Sequence, residues 1–402
     1  MGDSHAYGFG PCLHDNSWSW GQLEFATHHL LHTLLRESDN PENNFNVLKM
    51  KILLTGIAGF AGKCLCKSLL ETRNDLEIIG MDNLSRFGSE NNVKGLAEEG
   101  VKFFRGDVRL QSDIDNLPKA DWVIDCSANP SVLAGLDGKS TSRQLIEHNL
   151  LGTINLLEYC KRNKAGLILL STSRVYSAEN LAQLPVEDDD EKFFIKENND
   201  DDGVSPLGIN EAFPTTSPVS LYGASKLASE TLILEYGKCF DFPVWINRCG
   251  VLAGAGQFGK PDQGIFSYWI HSFREKKPLK YIGFGGTGLQ VRDALHPRDL
   301  VPLLLRQMQE PDRDAPKIIN LGGGVENSMS LKQLTSWCEE RFGSNQVIAS
   351  KEERPMDAPW IVMDSSMTRE VWNWSPKTTL NDILEEIANH AKANPQWLEF
   401  TS

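Results

Sequence analysis

The chain has 402 residues, 40% hydrophobic and 23% charged, enough for a large buried core and ordinary for a soluble globular protein. No apolar run approaches the ~18 residues of a membrane span, and a formal net charge of -14 argues against nucleic acid or anionic membranes as main partners. Eight cysteines are scattered without CxxC or zinc-like spacing, so reduced thiols, no metal site and a cytoplasmic location are expected.

Residues 1–49 are irregular, with one helix expected over Leu23–Arg36 and no basic start followed by an apolar stretch, as a secretory signal requires. They read as an extension of unassigned role, and Met50, just before a strand-like run, is an alternative start. From there short apolar runs alternate with helical spacing. Lys51–Thr55, Leu76–Met81, Val101–Phe104, Trp122–Cys126, Leu167–Ser171 and Val244–Asn247 read as buried parallel strands. Gly62–Thr72, Ser142–Asn163 and Tyr222–Phe240 read as helices between them. This alternation predicts an α/β doubly wound parallel sheet of Rossmann type over residues 50–253, binding ligands outside the carboxyl ends of its strands. Ser177–Pro218 interrupts it with acidic runs at Glu187–Glu191 and Asp200–Asp202, read as a solvated surface loop and, from its position, a candidate lid. Residues 254–402, with Gly- and Pro-rich loops and helices over Ser330–Phe342 and Asn381–Ala393, are expected to form mainly a smaller mixed α/β substrate-binding lobe.

The first strand runs into Gly56-x-x-Gly59-x-x-Gly62 and a helix. Glycines there allow a tight turn and close approach of backbone to a pyrophosphate, and the helix N-terminus presents unpaired N–H groups to it. Asp82, 20 residues after Gly62, is placed to accept from adenosine ribose hydroxyls, which favours NAD over NADP. Arg86 nearby can in principle meet a 2'-phosphate. Asp107, after the third strand, has two compatible readings, a contact at the adenine edge and an N-cap for a helix over Gln111–Leu117.

Tyr222-Gly-Ala-Ser-Lys226 places a phenol and an ammonium four residues apart on one helical face. Positive charge beside a phenol of ordinary pKa ~10 favours the tyrosinate that a general base needs. A hydroxyl partner is expected at the end of the fifth strand, where Ser171, Thr172 and Ser173 are available and Thr172 is preferred.

From Met50 to about Lys377 the chain resembles extended short-chain dehydrogenases acting on nucleotide sugars, and within them the CDP-tyvelose (CDP-paratose) 2-epimerases. The matching segments are Asp82-Asn-Leu-Ser-Arg86, Thr172-Ser-Arg-Val-Tyr176, Gln257–Gly264, Gln290–His296, Asn320-Leu-Gly-Gly, Asn327–Leu331 and Trp374–Lys377. The resemblance implies NAD as cofactor, no metal, a nucleotide-sugar substrate and a homodimer formed through helices near 142–163 and 222–240. It implies Thr172, Tyr222 and Lys226 as the catalytic set. Around the cofactor it implies Gly56, Ala58, Gly59, Phe60, Ala61, Gly62, Asp82, Asn83, Arg86, Asp107, Val108, Ser127, Ala128 and Asn149, the last near the nicotinamide end. Around the sugar nucleotide it implies Asn129, Ser173, Arg174, Gln257, Gln263, Arg292 and Arg354, with Arg292 and Arg354 clamping the diphosphate. Ser173 and Arg174 stand where related dehydratases carry an Asp-Glu pair, which argues against water elimination, and the 2-epimerases carry Lys where Arg174 stands. Ser127-Ala-Asn-Pro130 and Arg248–Gly254 depart from the usual sugar-pocket sequences. The expected reaction is epimerisation at C2 of a CDP-3,6-dideoxyhexose through a keto sugar. A UDP- or GDP-sugar 4-epimerase or reductase, and then a non-catalytic NAD-binding scaffold, are the alternatives.

Overall fold

A computed structural model of the chain describes residues 49–136, 138, 141–196 and 203–400. The expected helix over Leu23–Arg36 and the acidic run Asp200–Asp202 lie outside the described residues. Among those residues the main sheet has seven strands, all parallel, in the order β7-β6-β5-β4-β1-β2-β3. They are β1 (Met50–Thr55), β2 (Leu76–Asp82), β3 (Lys102–Arg105), β4 (Trp122–Asp125), β5 (Gly166–Thr172), β6 (Val244–Cys249) and β7 (Ile318–Leu321).

Side chains alternate across each strand, and here both faces are covered. Ile52, Leu54, Ile168 and Leu170 join one core with Leu65, Cys66 and Leu69 of α1 (Phe60–Thr72). Leu53, Leu167 and Leu169 join another with Leu156, Leu157 and Cys160 of α2 (Gly152–Asn163) and Ile233 of α3 (Ser220–Phe240). The strands read from the sequence are therefore near-continuous apolar runs, as sheets buried on both faces require.

The structure revises three expectations. β7 and the helix Val301–Gln309, which adds Val301, Leu304 and Met308 to the first core, return to the main sheet from sequence assigned to the smaller lobe. Only four residues long, β7 has no extended apolar run to announce it. The helix expected over Ser142–Asn163 is broken by a π-helical turn over Glu147–Leu151 that holds Asn149, a wider turn often found at functional sites. The segment Ser177–Pro218 is no loose loop. Its charges at Glu187–Glu191 are exposed as read, but its apolar residues Ile195, Val204, Ile209 and Phe213 pack against Val291, Trp360, Val362 and Met363. Two short hairpins, Val186–Asp188 with Phe193–Ile195 and Val204–Ser205 with Gly208–Ile209, bond to this neighbourhood through Phe193 N–H to the Leu289 carbonyl (2.9 Å) and Ile209 N–H to the Val362 carbonyl (2.8 Å).

The smaller lobe centres on the strand Val291–Leu295, flanked by Val251–Leu252, Ser328–Ser330 and Trp360–Ile361. Capping boxes start two of its helices, Ser330 with Gln333 ahead of Leu331–Phe342 and Thr379 with Asp382 ahead of Leu380–Ala393. No described helix is long and apolar enough to cross a membrane.

Candidate active site

The glycine turn between β1 and α1 has no room for side chains. Gly56 has φ of 65°, and a Cβ on Gly62 would lie 2.2 Å from the Gly56 carbonyl oxygen. The turn opens into a cleft with Gly59, Asp82, Asn83, Arg86, Val108, Ser127, Ala128 and His148 in its wall, and α1 starts at Phe60 and Ala61 beside it. Asp82 accepts from the Ala58 N–H (3.0 Å) and the Leu84 N–H (2.8 Å), so it braces the turn it faces. Burial raises its carboxyl above the ordinary value. His148 Nε2 is buried there without a hydrogen-bond partner.

Asp107 and Arg86 sit differently from expectation. Asp107 does not cap a helix, because the helix Gln111–Asp115 begins after Leu110. Its carboxylate instead takes Arg109 Nε (2.9 Å), Arg109 Nη2 (2.6 Å) and Asn83 Nδ2 (3.0 Å). Burial alone would raise Asp107, but these donors outweigh it and hold the carboxyl well below its usual range. Arg86 is not free to meet a 2'-phosphate. It donates to the Phe258 carbonyl (2.8 Å) and to Gln263 Oε1 (3.3 Å), with its guanidinium 5.4 Å from the Phe258 ring centroid. Asn149 spends its amide on structure, with Oδ1 accepting from Asn129 N–H (2.8 Å) and Nδ2 donating to the Asn129 carbonyl (3.2 Å) and Ser225 Oγ (3.0 Å).

Tyr222, Lys226 and Glu230 form a stripe down the buried side of α3. Tyr222 is hydrogen-bonded to the side chain of Thr172, whose Oγ1 also accepts from Arg174 N–H (3.2 Å). Burial pushes the phenol up to about 12, partly offset by Thr172 and by the charge of Arg174. Lys226, one turn on from Tyr222, feels the charges of Asp125 and Glu230. Burial lowers the Lys226 pKa, yet no hydrogen bond or ion pair to its ammonium is present among the described residues. A buried ammonium left unpaired is costly, which makes it a natural partner for ligand hydroxyls. Ser171 faces away and donates to Glu230 Oε1 (2.5 Å).

Beside Tyr222 lies a cavity whose wall includes Arg174, Gln263, Gly264, Gln290, Arg292, Ser330, Arg354 and Asp357. Arg292 donates to Asp357 Oδ1 (2.6 Å) rather than to Asp293. Ser173 is buried outside the wall of this cavity, and Gln257 turns inward to bond the Leu252 carbonyl (2.7 Å). The segment from Gln257 to Gly264 is pinned on several sides. Arg86 holds it from the cofactor cleft, Ser131 Oγ donates to Asp262 (2.7 Å), and Trp397 Nε1 donates to the Gln257 carbonyl (2.9 Å) while stacking on Phe258. Asp357 and Glu230 were missed from the sequence. Glu230, four residues beyond Lys226 on the same face, was visible in the helical spacing, whereas the pairing of Asp357 depends on the tertiary fold.

Fold and site together define a doubly wound dehydrogenase-type domain with a Thr-Tyr-Lys centre and an arginine-lined cavity beside it. Residues 52–322 match the NAD dependent epimerase/dehydratase family, and the chain belongs to that family of enzymes. It is 27% identical over 343 residues to CDP-paratose 2-epimerase of Salmonella typhi, covering 84% of this chain and 98% of the relative. It is 26% identical over 355 residues to UDP-glucuronate 4-epimerase of Thermodesulfobacterium geofontis, covering 85% and 96%. A similar solved structure is the UDP-glucuronic acid 4-epimerase of Bacillus cereus in complex with UDP-glucuronic acid and NAD (TM-score 0.67, 26% identity, covering 86% and 99%).

The tight glycine turn, the Asp82 carboxylate and the unpaired Lys226 ammonium fit the cofactor that gives the family its name. Because Arg86 ties the cleft wall to the Gln257–Gly264 segment, Arg86→Ala is expected to speed NAD loss by at least ~10-fold. NAD remaining after gel filtration of the purified protein measures this, and retention equal to that of the unaltered protein would rule the clasp out.

Proposed function

We propose that this enzyme epimerises a CDP-activated 3,6-dideoxyhexose at C2, with NAD as a recycled cofactor, through a transient keto sugar. The observation that carries this reading is the contact of Tyr222 with Thr172, two residues before Arg174 in the wall of a cavity that also holds Arg292 and Arg354. NAD held by the Gly56–Gly62 turn, Asp82 and Lys226 supplies a hydride acceptor and then a hydride donor, so no outside reductant is consumed. Tyr222 removes the proton from the reacting hydroxyl and later returns it. Thr172 holds the sugar oxygen as it becomes a carbonyl and as it reverts. Arg292 and Arg354 hold the diphosphate, so binding energy remote from the chemistry fixes its geometry.

Charge supports a neutral sugar. Asp357 offsets one of the three guanidinium groups, and Asp262 is turned to Ser131 beside Arg86. The remaining positive charge matches a diphosphate, whereas a uronate would add a further anion. A UDP-sugar 4-epimerase is the second reading, favoured by the likeness to UDP-glucuronate 4-epimerase. Leu151 (39% exposed) and Leu221 (37%), on the two helical segments expected to pair, support a homodimer. Denaturing the purified protein and assaying released NAD, then following CDP-, UDP- and GDP-sugars by NMR, tests the assignment. A C4 epimer from a UDP-sugar with no C2 epimer from CDP-paratose would overturn it.

A further inference from the structure

Arg174 differs from the other two arginines of the cavity in how it is held. Its N–H donates to Thr172 Oγ1 (3.2 Å), and its carbonyl lies against Gly223, where a Cβ would come within 2.1 Å of it. The residue is thus locked between the catalytic hydroxyl and the neighbour of Tyr222. Its side chain runs into the cavity with Arg292, Arg354 and Asp357. Among the described residues it has no carboxylate partner, and its one hydrogen bond is from Nη1 to the Met356 carbonyl (3.2 Å). Arg292, by contrast, has Asp357 at 2.6 Å. A guanidinium carries five N–H donors, and leaving most of them unmatched in a half-buried site beside two like charges is unfavourable unless an anion arrives.

We propose that Arg174 grips the phosphate next to the sugar and thereby fixes C2, rather than C4, as the carbon that reaches Tyr222. This rests on the C2-epimerase reading and adds the residue that selects the carbon. The anomeric carbon carries that phosphate, and C2 is one bond from it, whereas C4 lies across the ring. A guanidinium rooted two residues after Thr172 brings the phosphate close to Thr172 and Tyr222, which leaves only the nearest ring hydroxyl in reach of the phenol. A 4-epimerase needs the opposite arrangement, with the phosphate held a full ring away from its tyrosine.

The test compares the full-length NAD-loaded enzyme with Arg174→Gln and Arg174→Lys. Turnover of CDP-paratose is followed by NMR, affinities for CDP and CMP by calorimetry, and bound NAD after denaturation. Arg174→Gln is expected to lower kcat by at least ~100-fold and to weaken CDP about tenfold, since a lost charge-assisted bond to the phosphate has this effect. CMP, which lacks the second phosphate, is expected to bind unchanged, NAD content to stay constant, and Arg174→Lys to recover kcat to within ~10-fold of wild type. Equal weakening of CMP and CDP, or loss of NAD without rescue by Lys, would mean a merely structural role and overturn the proposal. So would an Arg174→Gln enzyme with kcat within about threefold of wild type. Wild-type enzyme that makes no C2 epimer from CDP-paratose overturns the C2 reading itself, a result visible before any variant is made.

Discussion

Replacing Tyr222 by Phe is expected to lower turnover by at least ~10³-fold while leaving the fold and the bound NAD in place. The ring is buried, so the aromatic packing survives, and the deleted oxygen's hydrogen bond in the structure is to Thr172. Glycine turn and Lys226 are untouched. The pH dependence has a definite sign. A base must lose its proton before it can act, and burial, only partly offset by Thr172 and Arg174, leaves the phenol at about 12. The working fraction therefore grows as pH rises towards the phenol's pKa in the loaded enzyme, and kcat of the unaltered enzyme is expected to climb between pH 6 and pH 9. Tyr222→Phe has no such group, so its residual rate is expected to be flat across that range. A variant within about tenfold of wild type, or one that keeps the same pH slope, would remove Tyr222 from the chemistry.

How far the sequence reached follows from the range of each interaction. Local chemistry was legible: the Gly56–Gly62 turn sits at a strand–helix junction, and the Tyr222/Lys226 spacing places both on one helical face. Strand alternation from β1 to β6 was legible because these strands, the half-buried edge strand β3 apart, are buried on both faces. What escaped depends on partners distant in the chain. β7 is defined by pairing with β6, about 70 residues earlier, and not by its own composition. Arg86 lies in a motif that suggests phosphate chemistry, yet its partners Phe258 and Gln263 are more than 170 residues away. Acidic runs in the Ser177–Pro218 segment drew attention from its interspersed apolar residues, and these are what anchor it.

Removing one partner of the buried Glu230–Arg248 pair is expected to destabilise the protein by ~3–5 kcal/mol. The side chains are 2% and 6% exposed, and Arg248 Nη2 donates to Glu230 Oε2 at 2.7 Å. Burial opposes charge on Arg248, but the carboxylate outweighs it and keeps the guanidinium charged. The network extends well beyond the pair. Ser171 of β5 donates to Glu230, and Arg248 Nη1 reaches the Tyr176 hydroxyl (3.4 Å), which donates to Asn320 of β7 (2.8 Å). Asn320 in turn bonds Ile209 and Glu211 of the Ser177–Pro218 segment. Glu230→Gln strips the charge partner and leaves Arg248 buried and cationic, so the unfolding midpoint in urea should drop while the slope stays constant. Glu230→Leu combined with Arg248→Met replaces the pair by apolar groups of similar size and should recover at least half of the loss, because neither charge is then stranded. A single variant within about 1 kcal/mol of wild type would show that water or rearrangement satisfies the arginine. A double variant no better than the single one would place the cost in the wider network, where Ser171 and Tyr176 lose their partners, rather than in the uncompensated charge.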